Sequence, residues 1–191
     1  MNKDKAFELS VHGKQKVLAQ QMTDQKTGNM RENSPRNKML AGRLREVLLS
    51  GKWVANTNFK EQIISISREQ AIRKVSGLNS IAAMTFHIDY YLKGILNVFH
   101  GGDLEIRDKY SFEMPEIKSE ADWDQLVTNF LNNAEAFVEC VEQMDDEIFD
   151  QPFVDEKYGT YLRNIDGVIE HSYYHLGQIS MLRKLILEKD K

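Results

Sequence analysis

The chain has 191 residues, 41% of them hydrophobic and 28% charged, which is enough for one domain with a sizeable core. Its net charge of −4 is unevenly placed: residues 1–38 hold eight Lys/Arg against four Asp/Glu, and the other 153 residues hold 17 against 25. An acidic main domain suits phosphate backbones poorly, so no nucleic-acid partner is expected; no apolar run nears the roughly 20 residues of a membrane span, and the single Cys140 allows no intrachain disulfide.

The N-terminus, MNKDKAFELSVHGKQK, has neither the apolar segment nor the small-residue cleavage site of a secretory signal. With a lone cysteine, this predicts a cytoplasmic protein. Residues 1–38 read as a polar extension, either one helix around residues 4–22 or disordered, ending in the linker-like TGNMRENSPRN. The main domain is expected over residues 39–191.

From Met39 the texture changes to a long, mostly helical pattern, interrupted near Ser50 and Gly51 and resuming through Phe59, Ile63, Ile64 and Ile66. A second helix starts at Asn79 or Ser80, either of which can cap it, and stops at Gly101-Gly102. A third starts at Ser119, where Asp122 three residues on makes a capping box with Asp in place of Glu. Its apolar positions, from Trp123 through Phe130 and Phe137 to Met144, repeat at helical spacing. A fourth runs from about Tyr161 to Leu187. Strand signals are confined to KYSFEM and PFVDEKYG.

Four long amphipathic helices predict an all-α four-helix bundle. The link between the second and third helices, about 19 residues, is far longer than an antiparallel turn needs and is read as a crossover that lets the two run parallel.

HSYYHLGQI (171–179) carries two histidines one turn apart, so both imidazoles leave one helix face. Turning about 100° per residue puts Ile165, Val168, Ser172, Leu176 and Ile179 on the buried side, with His171 and His175 at its margin. In the second helix, Ile81, Met84, Ile88, Leu92 and Ile95 are buried and His87 lies at the margin. A histidine at such an edge is ordinarily satisfied by a carbonyl or a water, and the periodicity permits convergence without establishing it. His12, in the polar extension, and His100, beside the glycines, read as surface residues.

FHIDYY (86–91) and IEHSYYHLGQI (169–179) resemble the DinB-like superfamily of four-helix proteins. GKW (51–53), LNSIAA (78–83), DKYSF (108–112) and KYGTYLRNIDG (157–167) extend the resemblance, in order, over about residues 39–187. It implies a divalent metal site formed by His87, His171 and His175, in a branch of largely unassigned function. The ion would be Zn, Ni or Fe, all of which imidazole suits.

Three neutral ligands leave coordination positions open, the pattern of a catalytic site. The resemblance implies a thiol-dependent transferase, taking a low-molecular-weight thiol and a small electrophilic substrate, or a metal-dependent hydrolase. A non-catalytic, metal-stabilised binding module is the third reading. No carboxylate falls on the histidine faces, since Asp89 and Glu170 point elsewhere, and this favours the thiol; a base for water would have to come from a loop, such as Asp103 or Asp155. Asn164 and Gln178 lie within about 20° of His171, Tyr174 about 60° away, and Tyr91 about 40° from His87, so these four are candidates to orient ligands or touch substrate. Tyr90 lies on the other side of His87, Arg163 points away, and Cys140 is expected to be buried and inert. Bundles of this size often form homodimers through exposed apolar faces, with no face assigned here.

Overall fold

The structure is a computed structural model that describes residues 35–189. The expectations for residues 1–34, including the helix around 4–22 and His12, lie outside the described residues.

The first helix, α1 (Pro35–Arg45), opens on a proline, whose fixed φ and missing N–H suit a first helical position. The boundary expected at Met39 therefore falls inside a helix. Asn37 is 2% exposed, and its amide donates to the carbonyls of Glu142 at 2.7 Å and Met144 at 3.3 Å. Arg36 forks onto both Asp146 and Asp150.

The long helix expected after Met39 is broken up. The chain widens into a π-helical turn over Glu46–Ser50, and Gly51 then folds back so closely that a Cβ would run into the Glu46 backbone. Two short helices follow, α2 (Phe59–Ile63), capped by Asn58, and α3 (Arg68–Ile72), with a capping box between Ser67 and Gln70. They close one end of the bundle.

The other long helices begin where their capping signals place them. Ser80 caps α4 (Ile81–Phe99), accepting from the Ala83 amide. Ser119 and Asp122 form the reciprocal capping box of α5 (Glu120–Glu142). The last helix, α6, runs from Tyr161 to Lys189. KYSFEM and PFVDEKYG supply 3₁₀ turns at Asp108–Tyr110 and Glu156–Tyr158 rather than strands. One isolated antiparallel bridge, Pro152 to Thr160, is the nearest approach to a sheet among the described residues.

The four long helices form a bundle in which α1 and α4 each touch both α5 and α6. Asp89 meets Asn133, and Phe99 meets Phe137 with ring centroids 5.2 Å apart, so α4 and α5 run parallel across the crossover of residues 100–119. Phe99 also stacks on Tyr161 at 5.7 Å, which makes α6 antiparallel to α4. Arg43 pairs with Asp166 and the Tyr173 hydroxyl reaches Glu46, so α6 runs parallel to α1. The core between them contains Leu44, Ile88, Leu92, Phe99, Phe130, Phe137 and Ile165, all 1% exposed or less. Each such side chain contributes about 1.5–3 kcal/mol by leaving water.

Candidate metal centre

The buried stripes of α4 and α6 are the predicted ones: Ile81, Met84, Ile88, Leu92 and Ile95 on one, Ile165, Val168, Ser172, Leu176 and Ile179 on the other. The two helices lie side by side and antiparallel, so the margins of these stripes meet. His87 and His175 are buried there and His171 is half-buried.

The three imidazoles converge. His171 Nε2 lies 3.1 Å from His87 Nε2 and 2.9 Å from His175 Nε2, and the three ligand atoms lie within 4.8 Å of one another. One proton on His171 Nε2 points at one neighbour at a time, so nitrogen lone pairs would otherwise face each other. A cation among them removes that repulsion. Two imidazole nitrogens about 2.1 Å from one ion and about 90° apart would be about 3.0 Å from each other, so the spacing fits ligands on adjacent positions of one ion.

Electrostatics agree with that use. Burial first, and then the neighbouring imidazoles, push His87 and His171 down to about 4, and burial lowers His175. All three are neutral near pH 7, the form that donates a lone pair to a metal.

The crossover sets the orientation of His87. Its Nδ1 lies 3.3 Å from the Ser111 carbonyl, to which it donates, so Nε2 is left as the lone-pair atom. Phe112 stacks on the ring with centroids 4.0 Å apart. Residues 106–112 are strapped along α4: the Tyr90 hydroxyl accepts from the Arg107 amide at 2.9 Å, the Tyr91 hydroxyl donates to Asp108 Oδ1 at 2.8 Å, and Ile106 occupies the space above Gly94. A Cβ on Gly94 would collide with that side chain.

The four residues expected around the site differ in what they do. Tyr91 sets its ring edge-on to His87 at 5.0 Å and to His171 at 5.3 Å. Asn164 lines the adjoining cavity, but its amide donates to the carbonyls of Tyr158 at 2.9 Å and Thr160 at 2.8 Å, which fastens the start of α6. Tyr174 packs edge-on to His175 at 4.9 Å and is 62% exposed. Gln178 reaches towards the His175 ring, although the buried Nδ1 makes no hydrogen bond within 3.5 Å.

The two loop carboxylates named as possible bases have other surroundings: Asp155 caps the turn at Glu156, and Asp103 lines a second cavity, beside Asn97 and His100. The carboxylate that acts on the centre is Asp108, whose charge raises the pKa of both His87 and His171 against the larger lowering effects. Helical geometry could not find it, because it comes from the crossover; its signal was the DKYSF segment, to which no role had been given. Arg163 does pair at the surface, with Glu170 at 3.1 Å, yet it also borders the cavity beside His171. Cys140 is buried as expected, at 8% exposed, and burial pushes its thiol up to about 12.

The cavity measures ≈ 290 Å³ and lies between α4 and the first half of α6, with Tyr91, Ile95, Asn164, Gly167, Val168 and His171 in its walls. A metal held by the three histidines would therefore adjoin a space for a small molecule. No family model, curated protein or solved structure matches the chain.

Proposed function

We propose that the chain is a DinB-like protein that holds one divalent ion, Zn, Ni or Fe, on His87, His171 and His175 and acts on a small molecule beside it. The observation that carries the reading is the convergence of three neutral imidazoles on His171 Nε2 at 2.9 and 3.1 Å, next to a cavity. The donors fit the ion in number and in protonation and, for the two pairs through His171, in spacing. Three protein ligands leave positions open, whereas a structural site would be closed by a fourth.

The reaction we infer is transfer of a low-molecular-weight thiol to a small electrophile. A C–S bond forms either by displacement, with the leaving group departing with its electron pair and the thiol proton passing to water, or by addition to an activated double bond, whose second carbon takes that proton. When bound, a divalent ion supplies Lewis acidity that holds a thiol as thiolate near neutral pH. The chain's own groups do the rest. Burial of Cys140 removes the protein's only thiol from competition. Tyr91 hydrogen-bonds Asp108, so its oxygen keeps lone pairs that can accept from a substrate in the cavity it lines. Burial and Asp108 push that phenol up to about 12, so it works as a neutral relay with its own proton held towards the carboxylate.

A metal-dependent hydrolase is the second reading, and Asp108 is the observation that favours it. The carboxylate missing from the helix faces arrives from the crossover, where it can take a proton from water through Tyr91. A metal-stabilised binding module would use the same centre without turnover. The proposed setting is cytoplasmic; no helix among the described residues is long and apolar enough to cross a membrane.

Elemental analysis of protein isolated without an affinity tag is expected to find about one divalent ion per chain, and much less in His87→Ala and His171→Ala. Unchanged content in both variants would overturn the centre. Turnover of electrophiles that requires both metal and a small thiol identifies the transferase; turnover indifferent to every thiol identifies the hydrolase; none of either kind, with metal present, leaves the module.

A further inference from the structure

The cavity beside His171 has a floor made by a glycine where a helix gains nothing from one. Gly167 lies inside the 29-residue α6, where glycine costs about 1 kcal/mol relative to alanine. A Cβ there would meet only Arg163 Nη1, at 3.7 Å, so no packed neighbour demands its absence. What the glycine leaves open is space one helical turn before His171. A side chain at this position would project into it.

One turn earlier, Arg163 carries its guanidinium to the edge of the same space. No Asp or Glu side chain lines the cavity, and Arg163 is the cation among its lining residues, with Asp108 behind the Tyr91 hydroxyl. The arginine's partner, Glu170 at 3.1 Å, is 62% exposed, as Arg163 is itself. Such a surface pair contributes about 0–1 kcal/mol, so the guanidinium can exchange Glu170 for another anion at little cost. The apolar walls, Ile95 and Val168, suit a short carbon skeleton, and the volume of ≈ 290 Å³ admits only a small one.

We infer that this cavity is a subsite for a small carboxylate-bearing molecule, its carboxylate forked onto Arg163 over Gly167 and its other end directed at His171. The identity of that other end rests on the metal-centre reading; the anion subsite does not. A planar guanidinium matches a carboxylate with two parallel N–H···O bonds, which a lysine cannot reproduce. The carboxylate belongs either to the thiol or to the electrophile, and two pairs of probes separate these sources.

Calorimetric titration of metal-loaded, full-length protein tests the assignment, with 3-mercaptopropionate against 2-mercaptoethanol and maleate against its dimethyl ester. The acid of at least one pair is expected to bind about tenfold or more tightly than its neutral counterpart. Arg163→Gln is expected to erase that preference, Arg163→Lys to keep part of it, and Glu170→Gln to strengthen the acid by removing its competitor. Gly167→Leu is expected to exclude acids and neutral probes alike, with metal content unchanged. A preference confined to the thiol pair assigns the carboxylate to the thiol, and one confined to the maleate pair assigns it to the electrophile. Equal binding within both pairs, or a preference that survives Arg163→Gln, overturns the subsite while leaving the metal centre intact. Loss of the metal reading appears separately, as metal content unchanged in the histidine variants. Arg163-dependent binding of maleate would stand in that case.

Discussion

The Tyr91 hydroxyl donates to Asp108 Oδ1 at 2.8 Å, and in doing so joins the helix that carries His87 to the crossover that orients it. The bond is local in space and 17 positions apart in sequence. It places a carboxylate where its field reaches two of the three imidazoles without touching them.

Asp108→Asn is expected to weaken metal binding by about 10–100-fold while the protein melts within a few degrees of the parent, since Asp108 is exposed and outer partners of metal ligands tune affinity on this scale. Competition with a chromogenic chelator measures it. Unchanged affinity would show that the carboxylate only anchors the crossover.

Gly94→Val is expected to lift residues 106–112 from α4, because its side chain would occupy the place of Ile106. The Ser111 carbonyl and Phe112 ring would leave His87 together. Metal affinity should fall even though no ligand is altered, and protease sensitivity should rise within the crossover. A variant with native affinity would mean that His87 holds its orientation without the strap.

Stability of the metal-free protein is expected to fall as pH drops from about 6.5 towards 4. In the unfolded chain an imidazole binds its proton near 6.5, whereas His87 and His171 in the fold do so only near 4. Between those values the unfolded state holds more protons, so stability rises with pH across the window and is level above it. Melting temperature against pH reads the slope, which should be shallower in His171→Ala. An equal slope in that variant would assign the acid sensitivity to other groups.

Added metal is expected to raise the melting temperature. At about 100 times Kd, a ligand bound only by the folded state adds about 2.7 kcal/mol, or roughly 5–11 °C for a domain of this size. His175→Ala should respond much less, so a shift of equal size in it would place the bound ion elsewhere.

A chain beginning at Met39 is expected to melt about 5 °C below one beginning at Pro35. It lacks Asn37, which satisfies two carbonyls at the end of α5, and Arg36, which grips Asp146 and Asp150. Equal melting temperatures would show that water replaces those bonds without loss.

The helices that were legible in the sequence are those whose burial follows one period throughout. In α5 the stripe from Trp123 to Val141 and the Ser119–Asp122 box fix both face and start, and the structure reproduces both. The first helix was harder to bound because Arg36 and Asn37 look like solvent-facing residues until Asp146, Asp150 and the end of α5 are placed beside them. Glu46–Gly51 was read as a mere interruption, since a close approach between two backbones leaves no apolar signature. The same distinction runs through the site. Each histidine lay on a stripe margin that could be computed, whereas Asp108, Ser111 and Phe112 reach the centre from an irregular segment with no period to follow.

His87 and His171 are separated by 84 positions in sequence, with the entire crossover and α5 between them. Ligands this far apart make occupancy of the centre a clasp between α4 and α6. Opening the α4–α6 seam then requires release of the clasp, so the added stability should appear in the rate of unfolding while the rate of folding stays nearly the same. A loaded protein would outlast brief heating and fail abruptly under a strong chelator, or in acid, where protons displace the metal from the imidazoles. Its lifetime in a cell would follow the local supply of metal.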